Sequence, residues 1–309
     1  MKTITDILSK RLPHLIVFTA ILTYYLPVYW ETYTWVPAVL LGMVIFFAGL
    51  SINLDSIKGI GRKKKAIGVA VILKWTLTVT ISLVLAYLFF SEEPEILAGI
   101  ILSGTVPNAT AATLYTFLAG GNTALVIVGS FLDTALSPVV TLLAMVNIPG
   151  KEVSITFLDL LQSFLFIVIL PLAAGIFMQR MFPQSVQHSQ TLTKLGSSLS
   201  LLIIVHIIVG EGKEAVAAHL NLLPLLIVVI LIQVLLPMGV GYLTAKKIGV
   251  EEPEARAILF YVGLCNTALA AILAFQFIGE LGAVPPIINT IINLSFGSFI
   301  SNFLKKEPA

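Results

Sequence analysis

Ten apolar runs, separated by short polar breaks, fill nearly the whole of this chain. They fall at roughly 11–29, 35–54, 66–90, 95–119, 123–148, 155–179, 194–210, 220–245, 254–279 and 283–304. A helix needs about 20 apolar residues to cross the hydrocarbon core of a bilayer, and most of these runs reach that length. Only 11% of the residues are charged and 58% are hydrophobic. A soluble domain carries about a quarter charged residues, so this chain lacks the polar surface to face water. The reading is an all-α, multi-pass membrane protein with the lipid bilayer as its surroundings.

The placement of charge orients the spans. With the N-terminus inside, fifteen Lys and Arg residues fall on interior segments, Lys58, Arg62, Lys63, Lys64 and Lys65 among them. Only Lys151 and Lys213 fall outside. Basic residues stay on the cytoplasmic side, so the pattern predicts ten spans with both termini cytoplasmic, in the cell membrane. Trp30, Tyr33 and Trp35 gather at the first exterior turn, where aromatic residues sit at the lipid–water boundary. The "GIGRKKKA" run reads as an orienting cytoplasmic loop. The first apolar run has no small-residue cleavage site and is expected to remain as a helix. The one cysteine, Cys265, excludes a disulfide framework and a cysteine-based zinc site.

The motif Glu-Glu-Pro-Glu occurs twice, at Glu92–Glu95 outside and at Glu251–Glu254 inside. Each opens a span, where acidic residues and Pro suit the first helical turn. Five spans lie in residues 1–150 and five in 151–309, and an odd number per half forces the halves into opposite orientation. The expected architecture is two inverted five-helix repeats, as in secondary transporters. After the first motif the helix meets "SGTVPNATAAT" (Ser103–Thr113), and after the second it meets "VGLCNTALA" (Val262–Ala270). Asn108 lies 13 residues past Glu95, and Asn266 lies 12 past Glu254. Pro107 removes an N–H and disfavours helix at Val106. Interrupted segments at matching places in two halves point to a binding site. The bland reading is a Pro kink in one helix and a chance Asn in the other.

A broken helix exposes a half-helix N-terminus, which suits an anion, and a half-helix C-terminus, whose carbonyls suit a cation. The expected substrate contacts at the breaks are Asn108, Thr110, Ala111, Asn266 and Thr267. Asn108, Thr110, Asn266 and Thr267, with Thr113, offer neutral hydrogen-bonding groups to a small organic anion.

Several stretches resemble the bacterial branch of the bile acid:sodium symporter family, over essentially the whole chain. They are "GLSINLD" (Gly49–Asp55), "PNATAATLYTFLAGGNTAL" (Pro107–Leu125), "YVGLCNTALA" (Tyr261–Ala270) and "NLSFGS" (Asn293–Ser298). The resemblance implies a panel of spans 1, 2, 6 and 7 and a core of spans 3–5 and 8–10, with discontinuous helices 4 and 9 crossing in the core. It also implies alternating access and transport of organic anions, pantothenate-precursor-like or bile-acid-like, often with two sodium ions.

The family's sodium ligands do not carry over. Its Ser-Asn pair falls on Ala112 and Thr113, its span-5 hydroxyls on Val126 and Ser130, its span-9 Glu on Tyr261 and the following Gln on Cys265. A Gln of span 3 falls on Lys74. Thr113 and Ser130 are what would remain of a sodium site. Thr110, Asn266 and Asn293 keep the family's chemistry near the substrate. Arsenite-exporting relatives carry a cysteine in the first broken helix, which here has none.

Lys74 and Asp133 are the only charges deep within the predicted spans, and they lie at similar depth. A lone charge there costs at least about 3 kcal/mol, and a pair lowers that cost. One reading is a structural salt bridge. The other has the Lys74 ammonium replace a sodium ion at the crossed half-helices, leaving sodium or proton coupling open. His206 reads as a packed histidine, and Gln162, Gln233 and Gln276 as interhelical hydrogen-bonders.

Two other classes of function remain to be weighed. An intramembrane hydrolase would need a dyad such as Ser130 with Lys74. A channel would not show saturable counterflow. No nucleotide-binding loop is present, and nothing suggests nucleic acid.

Overall fold

The computed structural model describes residues 11–26, 32–33, 35–52, 60–145, 157–182 and 186–305. Among these the chain is helical, with α1 Leu12–Tyr25, α2 Val36–Ser51, α3 Lys64–Phe90, α4 Pro94–Thr105, α5 Thr110–Leu118, α6 Thr123–Met145 and α7 Leu158–Met181. It continues with α8 Val186–Glu211, α9 Lys213–Ala218, α10 Leu223–Lys247, α11 Glu252–Gly263, α12 Thr267–Phe277 and α13 Glu280–Leu304. Five helical segments are long and apolar enough to cross a membrane: α3, α6, α7, α13 and the segment Leu220–Lys247 that contains α10. The shorter apolar helices include α1, α2, α4 and α12.

The starts of these helices follow local chemistry. Pro stands in the first turn of α1, α2, α4, α10 and α11, where its missing N–H costs nothing. Glu95 opens α4, and Glu252 and Glu254 open α11, against the positive ends of the helix dipoles. Two helices carry a single wide π turn, Lys74–Thr78 in α3 and Leu165–Ile169 in α7. Such turns put an extra residue on one face and often mark functional positions.

Two packing groups result. α2 lies against α7 and α8, and α8 also covers α1. Gly49 and Gly175 let α2 and α7 meet backbone to backbone: a Cβ at Gly49 would lie 2.6 Å from Leu172 O, and one at Gly175 would strike Phe46 O. The second group joins α3 to α4, α4 to α13, α12 to α13 and α10 to α11. Its centre is α4 and α11, where every residue from Ile96 to Thr105 and from Glu254 to Gly263 is buried.

The runs 95–119 and 254–279, where interruptions were expected, each form a pair of shorter helices, α4–α5 and α11–α12. α1 stops at Tyr25, short of the expected end, because Leu26 is extended. The short α9 follows α8 where only a polar connection was expected. Tyr33 and Trp35 stack with ring centroids 6.1 Å apart. Trp30, the last three residues of "GLSINLD" (Asn53–Asp55) and residues 146–156 lie outside the described residues.

Candidate functional site

The first break runs from Val106 to Ala109 and the second from Leu264 to Asn266. Val106 and Leu264 are both extended, which ends α4 and α11. Backbone freed from a helix within lipid must find partners inside the protein. Here each break supplies the other. Ala109 N donates to Leu264 O at 2.8 Å, Asn266 N donates to Pro107 O at 2.7 Å, and Asn108 and Cys265 sit opposite each other as an antiparallel bridge. Neighbouring helices take up remaining carbonyls. Ser137 and Thr141 of α6 donate to Thr105 O at 2.7 and 3.0 Å, and Thr78 of α3 donates to Val262 O at 2.8 Å.

Beside this crossing lies a cavity of about 70 Å³. Ala109, Thr110 and Ala111 of the first break and Cys265, Asn266 and Thr267 of the second line one side. Thr290 and Asn293 of α13 adjoin them, and Leu41, Val44 and Ile45 of α2 with Leu201 of α8 form an apolar wall from the other packing group. The polar side is largely organised. Thr267 and Thr290 share a hydroxyl bond of 2.7 Å, and Asn293 Nδ2 donates to Cys265 O at 3.1 Å. Asn266 caps α12 by accepting from Leu269 N at 3.3 Å. By contrast the N-cap position of α5 is held by Ala109, which offers no side-chain cap, so the α5 end next to the cavity lacks one. That end carries partial positive charge and unpaired donors, an arrangement suited to a carboxylate. The amide oxygen of Asn293 is buried without a partner and lines the same space.

Asn108 does not line this cavity. Its side chain is buried with neither polar atom partnered. Its backbone N donates to Asp133 Oδ2 at 3.2 Å. Asp133 is wholly buried and also receives Trp75 Nε1 at 2.9 Å and Tyr261 OH at 2.5 Å, both at Oδ1. Lys74, equally buried, donates to Cys265 Sγ at 2.6 Å. Lys74 and Asp133 therefore do not form a direct ion pair. Each charge is tied to a different break: Asp133 to the first, Lys74 to the second. Ser130 Oγ donates to Val126 O of its own helix, at 2.8 Å, so the structure does not assemble a Ser130–Lys74 dyad. Thr113 is half-buried on α5 beyond the crossing.

A second polar cluster holds the end of the bundle where α11 begins. Buried Arg256 donates to Ala119 O at the end of α5 and to Leu304 O at the end of α13, and pairs with Glu252. Glu252 also meets Lys246 at 2.8 Å and Tyr242 at 2.9 Å. Partial burial pushes the Glu252 carboxyl up, but the Lys246, Arg256 and Tyr242 bonds outweigh it and hold it at about 2. Asn122 N donates to Pro253 O at 2.8 Å, which fastens the start of the second broken helix to the end of the first.

Sequence reasoning missed Trp75, Thr290, Ser137 and Thr141. The only signal for Trp75 was its place beside Lys74. The hydroxyls of α6 and α13 recur in many apolar helices and gave none.

A helical membrane protein whose two interrupted helices cross beside a cavity, between two packing groups, is of the carrier type. The comparisons place it more closely. Residues 38–219 match the model of the sodium bile acid symporter family. The "Uncharacterized sodium-dependent transporter YocS" of Bacillus subtilis is 30% identical over 89% of this chain and 85% of its own length. The "Probable sodium/metabolite cotransporter BASS1, chloroplastic" of Arabidopsis thaliana is 25% identical over 90% of this chain and 68% of its own. The chain belongs to the sodium bile acid symporter family, and it is a membrane transport protein rather than an enzyme.

Proposed function

We propose that this protein is a secondary transporter that carries a small organic anion across the cytoplasmic membrane by alternating access. The observation that carries the reading is the crossing of two helix breaks beside a cavity whose far wall belongs to α2 and α8. Sliding one packing group past the other would open that cavity to either side. Residues 1–150 and 151–309 form the two inverted halves in this reading. The start of each broken helix lies against the end of the other: Pro253 meets Asn122, and a Cβ at Gly279 would lie 3.0 Å from Glu95. Both termini are cytoplasmic, on the side rich in Lys and Arg.

The uncapped start of α5, with Thr110 and Ala111, receives the carboxylate, and Asn266, Thr267 and Asn293 orient the remainder. A cavity of about 70 Å³ favours a compact carboxylate, of the size of a vitamin precursor, over a sterol acid. Lys74 stands where a cation would bridge the crossing, since its ammonium reaches Cys265 within the second break. A second reading is sodium-coupled symport with altered ligands, Thr113 and Ser130 among them. It is favoured by the names of the two relatives, both of which mention sodium.

Uptake into proteoliposomes, measured for a panel of small carboxylates with choline in place of sodium, separates the two. Uptake that persists in choline supports Lys74 as the stand-in cation. Strict dependence on sodium establishes the second reading, and no saturable uptake of any member defeats both.

A further inference from the structure

We infer that the carrier moves its anion with no accompanying cation, so that each turnover transfers one net negative charge and an inside-negative membrane potential drives the anion outward. This rests on the transporter reading above and adds to it a stoichiometry and a direction.

Sodium is the coupling ion that the family name implies, and the charged groups at the crossing do not fit it, while the buried, unpartnered amide oxygen of Asn108 at the first break supplies only a single ligand. A sodium ion needs a shell of oxygen acceptors, as hard cations generally do. At the second break the groups present are the Lys74 ammonium and the Cys265 thiol, 2.6 Å apart. An ammonium at that spot repels a second cation and contributes donors only. Near the first break the acidic group is Asp133, and its oxygens face three donors: Trp75 Nε1, Tyr261 OH and Asn108 N. Three inward-pointing hydrogens mark a carboxylate already satisfied by the protein.

The charge balance follows from these contacts. Lys74 and Asp133 are each fixed to a helix and wholly buried, and their charges sum to zero. The other buried charges among the described residues, Glu254 and Arg256, lie in the polar cluster at one end of the bundle. No residue that lines the cavity is charged. The empty site is therefore neutral, and a bound monocarboxylate makes it singly negative. The buried cation nearest the crossing, Lys74, is a side chain and cannot leave with the substrate. Moving one charge across about 100 mV corresponds to about 2.3 kcal/mol, or about a fifty-fold concentration ratio at equilibrium. A symporter moving two sodium ions with each monocarboxylate would use the same potential in the opposite direction, for uptake.

The test uses the full chain in proteoliposomes loaded with an equimolar set of three- to eight-carbon 2-hydroxy monocarboxylates. The carboxylate suits the start of α5, and the hydroxyl suits the unpartnered acceptor of Asn293. Potentials are set with potassium and valinomycin in sodium-free buffer of equal pH on both sides, and released acids are read by mass spectrometry. The expected result is release of at least one acid that accelerates when the interior is negative, slows when it is positive, and approaches an outside excess of about fifty-fold at about 100 mV. Release indifferent to potential but driven by a pH gradient overturns the inference, because a proton then carries the compensating charge. Release that requires sodium overturns both the inference and the role given to Lys74. Absence of any release beyond that of protein-free vesicles overturns the anion-carrier reading and the inference with it.

Discussion

Asp133 is the side chain through which three elements hold the first break. It accepts from Trp75 of α3, Tyr261 of α11 and the backbone of Asn108. It is also the nearest opposite charge offered to a buried lysine at comparable depth. Asp133→Ala strands three donors and leaves Lys74 without a counter-charge. The expected cost is about 3 kcal/mol or more, read as a lowered unfolding midpoint in detergent. Tyr261→Phe removes one donor of the three and leaves the charges intact. It is expected to cost about 1 kcal/mol, and a loss as large as that of Asp133→Ala would show that the hydroxyl, not the charge, holds the break.

Among the helices, the closest approaches rest on glycine. A Cβ at Gly99 would strike Gly282 O, where α4 crosses α13. Gly99→Ala must force backbone apart and is expected to destabilise by about 1–3 kcal/mol. Gly239 in α10 has nothing within reach of an added Cβ, so Gly239→Ala should be neutral or stabilise by up to about 1 kcal/mol through helix propensity. Thermal unfolding of the two variants side by side checks both, and equal effects would refute the packing at α4 and α13. The cluster at the start of α11 has a pH signature. Because the folded-state carboxyl of Glu252 lies below its ordinary 4.5, at about 2, its contribution is present above 4.5 and is lost as pH falls between those values. Glu252→Gln should therefore lower the unfolding temperature at neutral pH, with the difference from wild type shrinking as pH drops through that window. A difference that stays constant with pH would mean that the side chain acts by packing alone.

For the molecule as a whole, the single cysteine serves as a reporter, since Cys265 lines the cavity between the two packing groups. A small membrane-permeant maleimide is expected to label it slowly, and a transported carboxylate should slow labelling further. Leu41→Trp, on the opposite wall, should block labelling, and because Leu41 is buried the larger ring should also cost about 1–3 kcal/mol of stability. Labelling that ignores both changes would separate the thiol from the transport path.

The all-helical, apolar character of the chain and the position of the first break were legible in the sequence. They depend on local quantities: the length of the apolar runs and the missing N–H of Pro107. The second break was signalled only by its matched distance from a repeated motif, because Leu264–Asn266 contains no proline to end a helix. Those residues leave the helix because Pro107 and Ala109 of the other half supply the hydrogen bonds that the helix gives up, and within lipid nothing else could. The sequence likewise placed Lys74 and Asp133 at one depth and allowed them to meet. Only the tertiary structure decided that they part, one to each break, since which partner a buried charge finds depends on how helices far apart in the chain are turned toward each other.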